Sequence, residues 1–395
     1  MDNITHSLVG VALADLAMGR RATKGQRPLF IGAGIIAANL PDLDLAYSRI
    51  TPAPLGYLLH HRGHTHTIAG LGVLALVLVA AYWFFPSVRK MRVSGQVRFW
   101  LLVAIALASH LALDGLNPYG VHPFYPVDNN WYFGDAVFIL EPSLWVALGV
   151  AAALNAHGRT ARLVVALPIL ILLSTTVSAG AIPIEAVAAL VIGGSLFAWV
   201  AFQWPPYMRA AAALAALVLI VAGLSGTSRV ARSVAVASLT PELRGRLVDV
   251  ILTPNPSSPL CWGVIAIELR EDEGVYVLWR GTLSLKPEWK IPADCASHQL
   301  GGGTRDTAGL GGGRLVLRDV RRQPLQRLRA LAKEDCWVRA WLRFGRAPVI
   351  EGGAIFDLRF SDRIGQEFSH MRMGRREGCP ANVPSWSMPR ADLLQ

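Results

Sequence analysis

Seven of the ten histidines fall within the first 122 residues: His6, His60, His61, His64, His66, His110 and His122. Asp42, Asp44, Asp114, Asp128, Asp135 and Glu141 accompany them. Neutral imidazole with carboxylate is a donor set for zinc, or for manganese or iron where oxygen donors predominate. His110 and Asp114 stand at i and i+4, so a helix presents both from one face. His60 and His64 share that spacing if their segment is helical. Pro41 starts a new local turn, so Asp42 and Asp44 either point into one pocket or bracket it. Taken singly, each residue has a plainer role: a packed polar group for His6, a helix end for Asp42, a solvated turn for 60–66. Taken together they outnumber the three protein ligands of a single catalytic zinc, which points to two or three ions. We therefore expect His6, Asp42, His60, His64, His66, His110 and Asp114 as metal ligands, with His60 and His66 as ligands or supporting groups. Asp44 is expected as ligand or general base. Arg62, the one cation inside the histidine cluster, is expected to hold a substrate phosphate, its plainer role being to pair with a nearby carboxylate.

The elements that carry these residues are apolar. The chain is 53% hydrophobic and 16% charged, with a mean hydropathy of +0.39. A soluble domain is usually about 25% charged, so neither an ordinary cytosolic enzyme nor a disordered chain is expected. Residues 1–227 hold 13 Lys/Arg and 9 Asp/Glu, and residues 228–395 hold 25 and 18. We expect about eight transmembrane helices in 1–227, at 4–18, 29–46, 67–85, 99–116, 136–154, 163–179, 184–202 and 209–226. The first two are the most polar. The N-terminus lacks the basic start of a cleavable signal peptide. With eight spans, 11 of the 13 basic residues of this half lie on one side, leaving Arg49 and Arg62 on the other. The positive-inside rule makes the basic side cytoplasmic and places both termini and the C-terminal domain outside, in the periplasm. His6, Asp42, Asp44, the 60–66 cluster, His110 and Asp114 then all reach the outer face. Trp131, Tyr132 and Phe133 are expected there as interfacial aromatics or a lid.

Four of these motifs occur in order. They are Asp2-Asn3-Ile4-Thr5-His6-Ser7, Asn39-Leu40-Pro41-Asp42-Leu43-Asp44, His60-His61-Arg62-Gly63-His64-Thr65-His66 and His110-Leu111-Ala112-Leu113-Asp114. Together, over roughly residues 1–180, they resemble the YdjM-like family of bacterial inner-membrane metal-dependent hydrolases. That family is in turn distantly similar to zinc-dependent phospholipase C and to single-strand nucleases, all-helical enzymes with a three-zinc cluster. The resemblance implies a ligand order of His6, then Asp42 or Asp44, then one of the histidines in 60–66, then His110 and Asp114, with His122 as a continuation. The relatives end on a His-x-x-x-Glu pair, which this sequence lacks after His122. Asp135 or Glu141 would have to replace it for a third ion.

Residues 228–395 alternate like strands at 247–252, 262–269, 275–285, 314–317 and 355–360, with a basic helix at about 324–333. This is an α+β domain with a mainly antiparallel sheet. All four cysteines (Cys261, Cys295, Cys336 and Cys379) lie in it, which fits two disulfides in an oxidising compartment; three pairings are possible. The glycine-rich stretch 301–313 lacks the Lys-Ser/Thr of a phosphate loop and reads as a connector. Pro254-Asn255-Pro256 is a turn.

The expectation is a multi-pass protein of the bacterial inner membrane that uses divalent metal, zinc first, two or three ions. It would hydrolyse a phosphoester in a membrane lipid or lipid-linked substrate at the outer face. Nucleic acid is not an expected partner, because the net charge of +11 is not clustered. Two other classes compete: a metallopeptidase or amidase using the same metals, and a non-catalytic transporter or scaffold presenting the C-terminal domain. A transporter site would lie near the bilayer midplane, and the ionisable residues here gather at one end.

Overall fold

The computed structural model describes residues 1–21, 25–178, 182–295, 313–360, 368–374 and 376–395. Eleven of its helices bear on the argument. They are α1 (Asn3–Met18), α2 (Arg27–Asn39), α3 (Leu55–His60), α4 (Ile68–Trp83), α5 (Val93–Asp114), α6 (Pro142–Asn155), α7 (Arg159–Ser178), α8 (Ile184–Ala201), α9 (Pro206–Leu239), α10 (Leu325–Glu334) and α11 (Cys336–Trp341). Lys24, one of the basic-loop residues, and nearly all of 301–313 lie outside the described residues.

The chain forms two compact units. The first comprises Met1–Leu43, Thr65–Asn117 and Val137–Gly223; the second comprises Asp44–His64, Pro118–Ala136 and Leu224–Gln395. Two stretches of the apolar half thus fold with the C-terminal residues, although composition alone divides the chain at 227.

The first unit is all helix. Five helices among the described residues are long and apolar enough to cross a membrane, or six if Leu55–His66 and Ile68–Trp83 are one bent span. The expected count of eight is not confirmed by this test of length and composition. Asn3–Met18 and Pro142–Asn155 are apolar but have only 16 and 14 residues, short of the roughly 20 that a bilayer core needs. The helices at 159–178 and 184–201 expose apolar side chains such as Leu163, Leu170, Ile192 and Trp199, a surface suited to lipid rather than water.

Close packing of α1 on α2 turns on two glycines. A Cβ on Gly10 would sit 2.4 Å from the Gly34 carbonyl oxygen, and one on Gly34 would sit 2.3 Å from that of Gly10. Only residues without a side chain let the two backbones touch there. A core of Ala14, Phe30, Ala33, Ala37, Leu78, Tyr82, Phe99, Leu102 and Ala106 then joins α1, α2, α4 and α5. Asp15 accepts bonds from Arg27 and from Asn155 (2.8 Å), tying α1, α2 and α6.

The second unit is α+β, with the antiparallel sheet that the alternation predicts. Strands β1 (Arg246–Asn255), β2 (Ser258–Arg270), β3 (Val275–Ser284) and β4 (Leu315–Pro324) form a meander in sequence order. Strands β5 (Pro348–Glu351), β6 (Ala354–Asp357) and β7 (Met371–Arg372) form a second small sheet. Both faces of the meander are buried, and β2 shows how. Trp262, Val264 and Ala266 pack with Ala231, Ala235 and Leu239 of α9, while Ile265, Ile267 and Leu269 face a second core containing α10, α11 and α3. The β1–β2 hairpin closes through Pro256-Ser257, whereas Pro254 and Asn255 of the expected turn are the last paired residues of β1. Cys261 pairs with Cys295 and Cys336 with Cys379.

Segment 118–136 is bound into this unit by buried charge. Arg346 donates to both oxygens of Asp135 at 2.8 Å and to both of Asp249 at 2.8 and 3.2 Å. Arg359 pairs with Asp357 and donates to the Pro118 carbonyl at 2.7 Å. Trp131 is 8% exposed, donates to the Arg343 carbonyl and packs on Tyr119 and Phe344. Phe133 lies under the Arg346 guanidinium, 4.1 Å from ring centre to Cζ. The expected interfacial aromatics are thus corrected for these two; Tyr132 alone of the three is exposed.

Candidate metal centre

In the first unit, four of the expected ligands come together. One oxygen each of Asp42 and Asp114 and one nitrogen each of His66 and His110 lie within 4.8 Å of one another. His66, His110 and Asp114 are buried and Asp42 nearly so. His110 and Asp114 occupy the last turns of α5, stacked by their i, i+4 spacing. Asp42 follows the end of α2, and His66 immediately precedes Thr67, whose hydroxyl caps α4 by accepting from the Gly70 amide at 2.7 Å.

The His110 tautomer is fixed from behind. His110 Nδ1 donates to the carbonyl of Ala38 at 2.6 Å, so its Nε2 carries a lone pair toward the cluster. His66 Nε2 stands 2.9 Å from it. Asp42 Oδ1 lies 3.4 Å from His110 Nε2 and 3.6 Å from His66 Nε2. Asp114 Oδ2 lies 3.3 Å from His66 Nε2 and 3.7 Å from His110 Nε2. A tetrahedral zinc with bonds near 2.0–2.1 Å holds its donors about 3.3 Å apart. The separations bracket that value.

The carboxylates are oriented as well. Asp42 Oδ2 accepts from Asn3 Nδ2 at 2.7 Å. Its Oδ1, which faces the two imidazoles, is buried and has no hydrogen-bond partner. Leaving a carboxylate oxygen in that state costs free energy unless something cationic meets it. Asp114 Oδ1 is 3.2 Å from His6 Nε2 and also meets the Met1 amine, while the His6 ring stacks on His110 with centroids 3.9 Å apart. His6 therefore stands behind the four donors, against the far oxygen of Asp114.

Of the other expected residues, Asp44, His60, His64, Arg62, His122 and Asp135 lie in the second unit and Glu141 in the first. Asp44 is fully buried; Oδ1 accepts from His61 Nδ1 at 3.1 Å and Oδ2 from the Arg62 amide at 2.8 Å. Helix α3 stops at His60, and Arg62 takes φ +60, so the helical i, i+4 pairing of His60 with His64 does not form. His60 Nε2 lies 2.7 Å from Thr51 Oγ1, whose hydroxyl also reaches the carbonyls of Ala381 and Asn382. His64 packs on the rings of Tyr125 and Trp386. The Arg62 guanidinium sits 4.9 Å over the Tyr119 ring. His122 is buried between Trp131 and Trp386, with ring centroids 3.8 and 3.9 Å away. The two residues expected to replace the missing Glu have partners of their own. Asp135 is bonded to Arg346 and Arg232, and Glu141 caps α6 through Ser143.

Sequence reasoning did not single out Asn3, which lies three residues from His6, or the pairing of His61 with Asp44. Asn3 had a signal in the Asp2–Ser7 motif. His61 was one of four histidines in seven residues, and nothing in the spacing distinguished it.

Residues 1–183 match the family model described as YdjM inner membrane protein. The chain is 26% identical over 159 residues to the "Uncharacterized protein YfhP" of Bacillus subtilis (strain 168), covering 39% of this chain and 46% of that protein. It is 32% identical over 119 residues to the "Inner membrane protein YbcI" of Escherichia coli (strain K12), covering 30% of this chain and 61% of that protein. The chain thus spans roughly half the length of these curated relatives. No solved structure matches. The region that matches the YdjM inner membrane protein model contains every residue of the four-donor cluster.

Proposed function

We propose that this protein is a membrane-bound metal-dependent hydrolase that cleaves a phosphoester bond in a lipid or lipid-linked substrate. The observation that carries the reading is the buried convergence of Asp42, His66, His110 and Asp114, with an unsatisfied Asp42 oxygen at its centre. Two nitrogens and two carboxylate oxygens suit zinc. When bound, such an ion lowers the pKa of water toward about 7 and polarises a phosphoryl oxygen.

The chain's own groups prepare that chemistry. Ala38 holds His110 in the tautomer that offers Nε2. Asn3 holds Asp42 by its outer oxygen, so the inner one stays directed at the imidazoles. His6 does the same for Asp114. Burial excludes bulk water, which strengthens each of these interactions. With all eight apolar helices crossing, the distribution of basic residues supports an outer-face site and an extracytoplasmic second unit.

The test combines metal analysis of the purified full chain with a phosphodiester and phospholipid hydrolysis screen, with and without chelator. The reading expects bound zinc or a related ion, chelator-sensitive hydrolysis, and loss of both in the double variant His110→Ala, Asp114→Ala. Full metal retention in that variant overturns the centre. Bound metal with hydrolysis unaffected by chelator overturns the catalytic role.

A further inference from the structure

Below the four donors, within the first unit, α4 and α5 leave a groove of about 420 Å³ between them. Ile68, Leu71, Gly72 and Ala75 form one wall; Ala104, Leu107, Ala108, Leu111 and Ala112 form the other. The helices run antiparallel, because His66 before α4 meets His110 near the end of α5. One end of the groove, at Ile68, Leu111 and Ala112, therefore lies within a turn of two of the metal-site imidazoles. The other end is at Ala75 and Ala104. From Ala104 to Ala112 the helix rises about 12 Å, most of the roughly 15 Å depth of one leaflet's hydrocarbon.

The lining is side-chain carbon almost throughout, and its size falls in the range of small-molecule sites. Leu107 forms a buried floor, while Gly72, Ala104, Ala108 and Ala112 are exposed and leave the groove open along its length. A Cβ added to Gly72 would meet nothing within 4 Å. A polar ligand finds no partner here, and water gains nothing.

We propose that this groove holds one hydrocarbon chain of the lipid substrate, acyl or polyprenyl, with its phosphate end at the Asp42–His66–His110–Asp114 cluster. The inference rests on the hydrolase reading for what happens at the head, and on the groove alone for where the chain lies. Ala104, Ala108 and Ala112 recur every four residues, as in helix pairs that associate in membranes. A concave space walled by two helices and ending at the donor cluster favours a single chain over a second helix. It also makes the substrate a lipid approached from within the bilayer.

The experiment uses the full chain in phosphatidylglycerol nanodiscs carrying a phosphatidylglycerol probe with a diazirine in its tail. Photolabelling is mapped in the wild type and in two groove-filling variants, Gly72→Leu and Ala108→Phe. The proposal expects label concentrated on α4 and α5, and about tenfold less of it in either variant with metal content unchanged. Label spread evenly over all lipid-facing helices, or equal in the filled variants, overturns it. So does a disulfide between two copies at Ala108→Cys, which would identify the occupant as a second chain. Hydrolysis separates the two readings. The filled variants should keep turnover of a water-soluble phosphodiester and lose about tenfold on the long-chain lipid. If the wild type hydrolyses neither substrate, the catalytic reading falls while the labelling still decides the groove.

Discussion

His110 shows how one side chain is committed to a task. Its Nδ1–H is given to the Ala38 carbonyl, and the opposite nitrogen has nowhere to go but the cluster. Asn3 does the corresponding work for Asp42. Such outer partners commonly govern metal affinity by 10–100-fold. Asn3→Ala should therefore weaken zinc binding by about that factor, measured by competition with a chelating dye, while the fold stays intact; unchanged affinity would show that Asp42 needs no such support. Charged residues of the second unit make a separate prediction. Burial alone would raise the pKa values of Asp249 and Asp357, but Arg346 and Arg359 respectively hold both below the ordinary carboxylate range. Groups with lowered folded-state pKa add stability above the unfolded value near 4 and lose it as pH falls toward the folded one. Denaturation of the detergent-solubilised chain, followed by tryptophan fluorescence, should become easier from about pH 5 downward. Arg346→Ala should weaken the Asp249 part of that dependence, with Arg390 and Arg232 still beside it. It should also cost about 1–3 kcal/mol, since Asp135 keeps Arg232 and Asp249 keeps Arg390.

At the scale of elements, the i, i+4 spacing made His110 and Asp114 legible because α5 is a regular helix through both. The same argument at His60 and His64 depended on helix continuing, and α3 ends at His60 with a left-handed Arg62 two residues later. No side-chain pattern announced that stop; Gly63 was the only local hint. Strand alternation located the meander well, since both of its faces are buried by different partners and period two survives on each. It overlooked β5 and β7, which have four and two residues. Hydropathy marked α1 and α6 as spans because they are as apolar as the longer helices, although they have only 16 and 14 residues. The contact of α1 with α2 depends on Gly10 and Gly34, so Gly10→Leu must force the backbones apart. We expect it to lower thermal stability by several degrees or more and to release metal, because α1 carries His6 and Asn3 and α2 leads into Asp42. Metal retained at full stability would show that the crossing does not position the site.

The whole molecule joins an apolar helical unit and an α+β unit whose chain segments interleave. Composition gave the two chemistries but not the interleaving, because Asp44–His64 and Pro118–Ala136 resemble loops until their partners, such as Trp386 to the Leu59 carbonyl and Arg359 to that of Pro118, are in place. The disulfides Cys261–Cys295 and Cys336–Cys379 belong to the second unit alone. Replacing Cys336 and Cys379 by serine should cost about 2–4 kcal/mol. An alkaline phosphatase fusion after residue 230 should be active if this unit is extracytoplasmic; an inactive fusion with an active cytoplasmic reporter at the same place would reverse the orientation. The central claim concerns the helical unit, and metal analysis of the purified full chain tests it most directly. After zinc loading and dialysis, the account predicts retained zinc in the wild type and its loss in the double variant His66→Ala, His110→Ala. A wild type that keeps no metal, or a double variant that keeps as much, would contradict it.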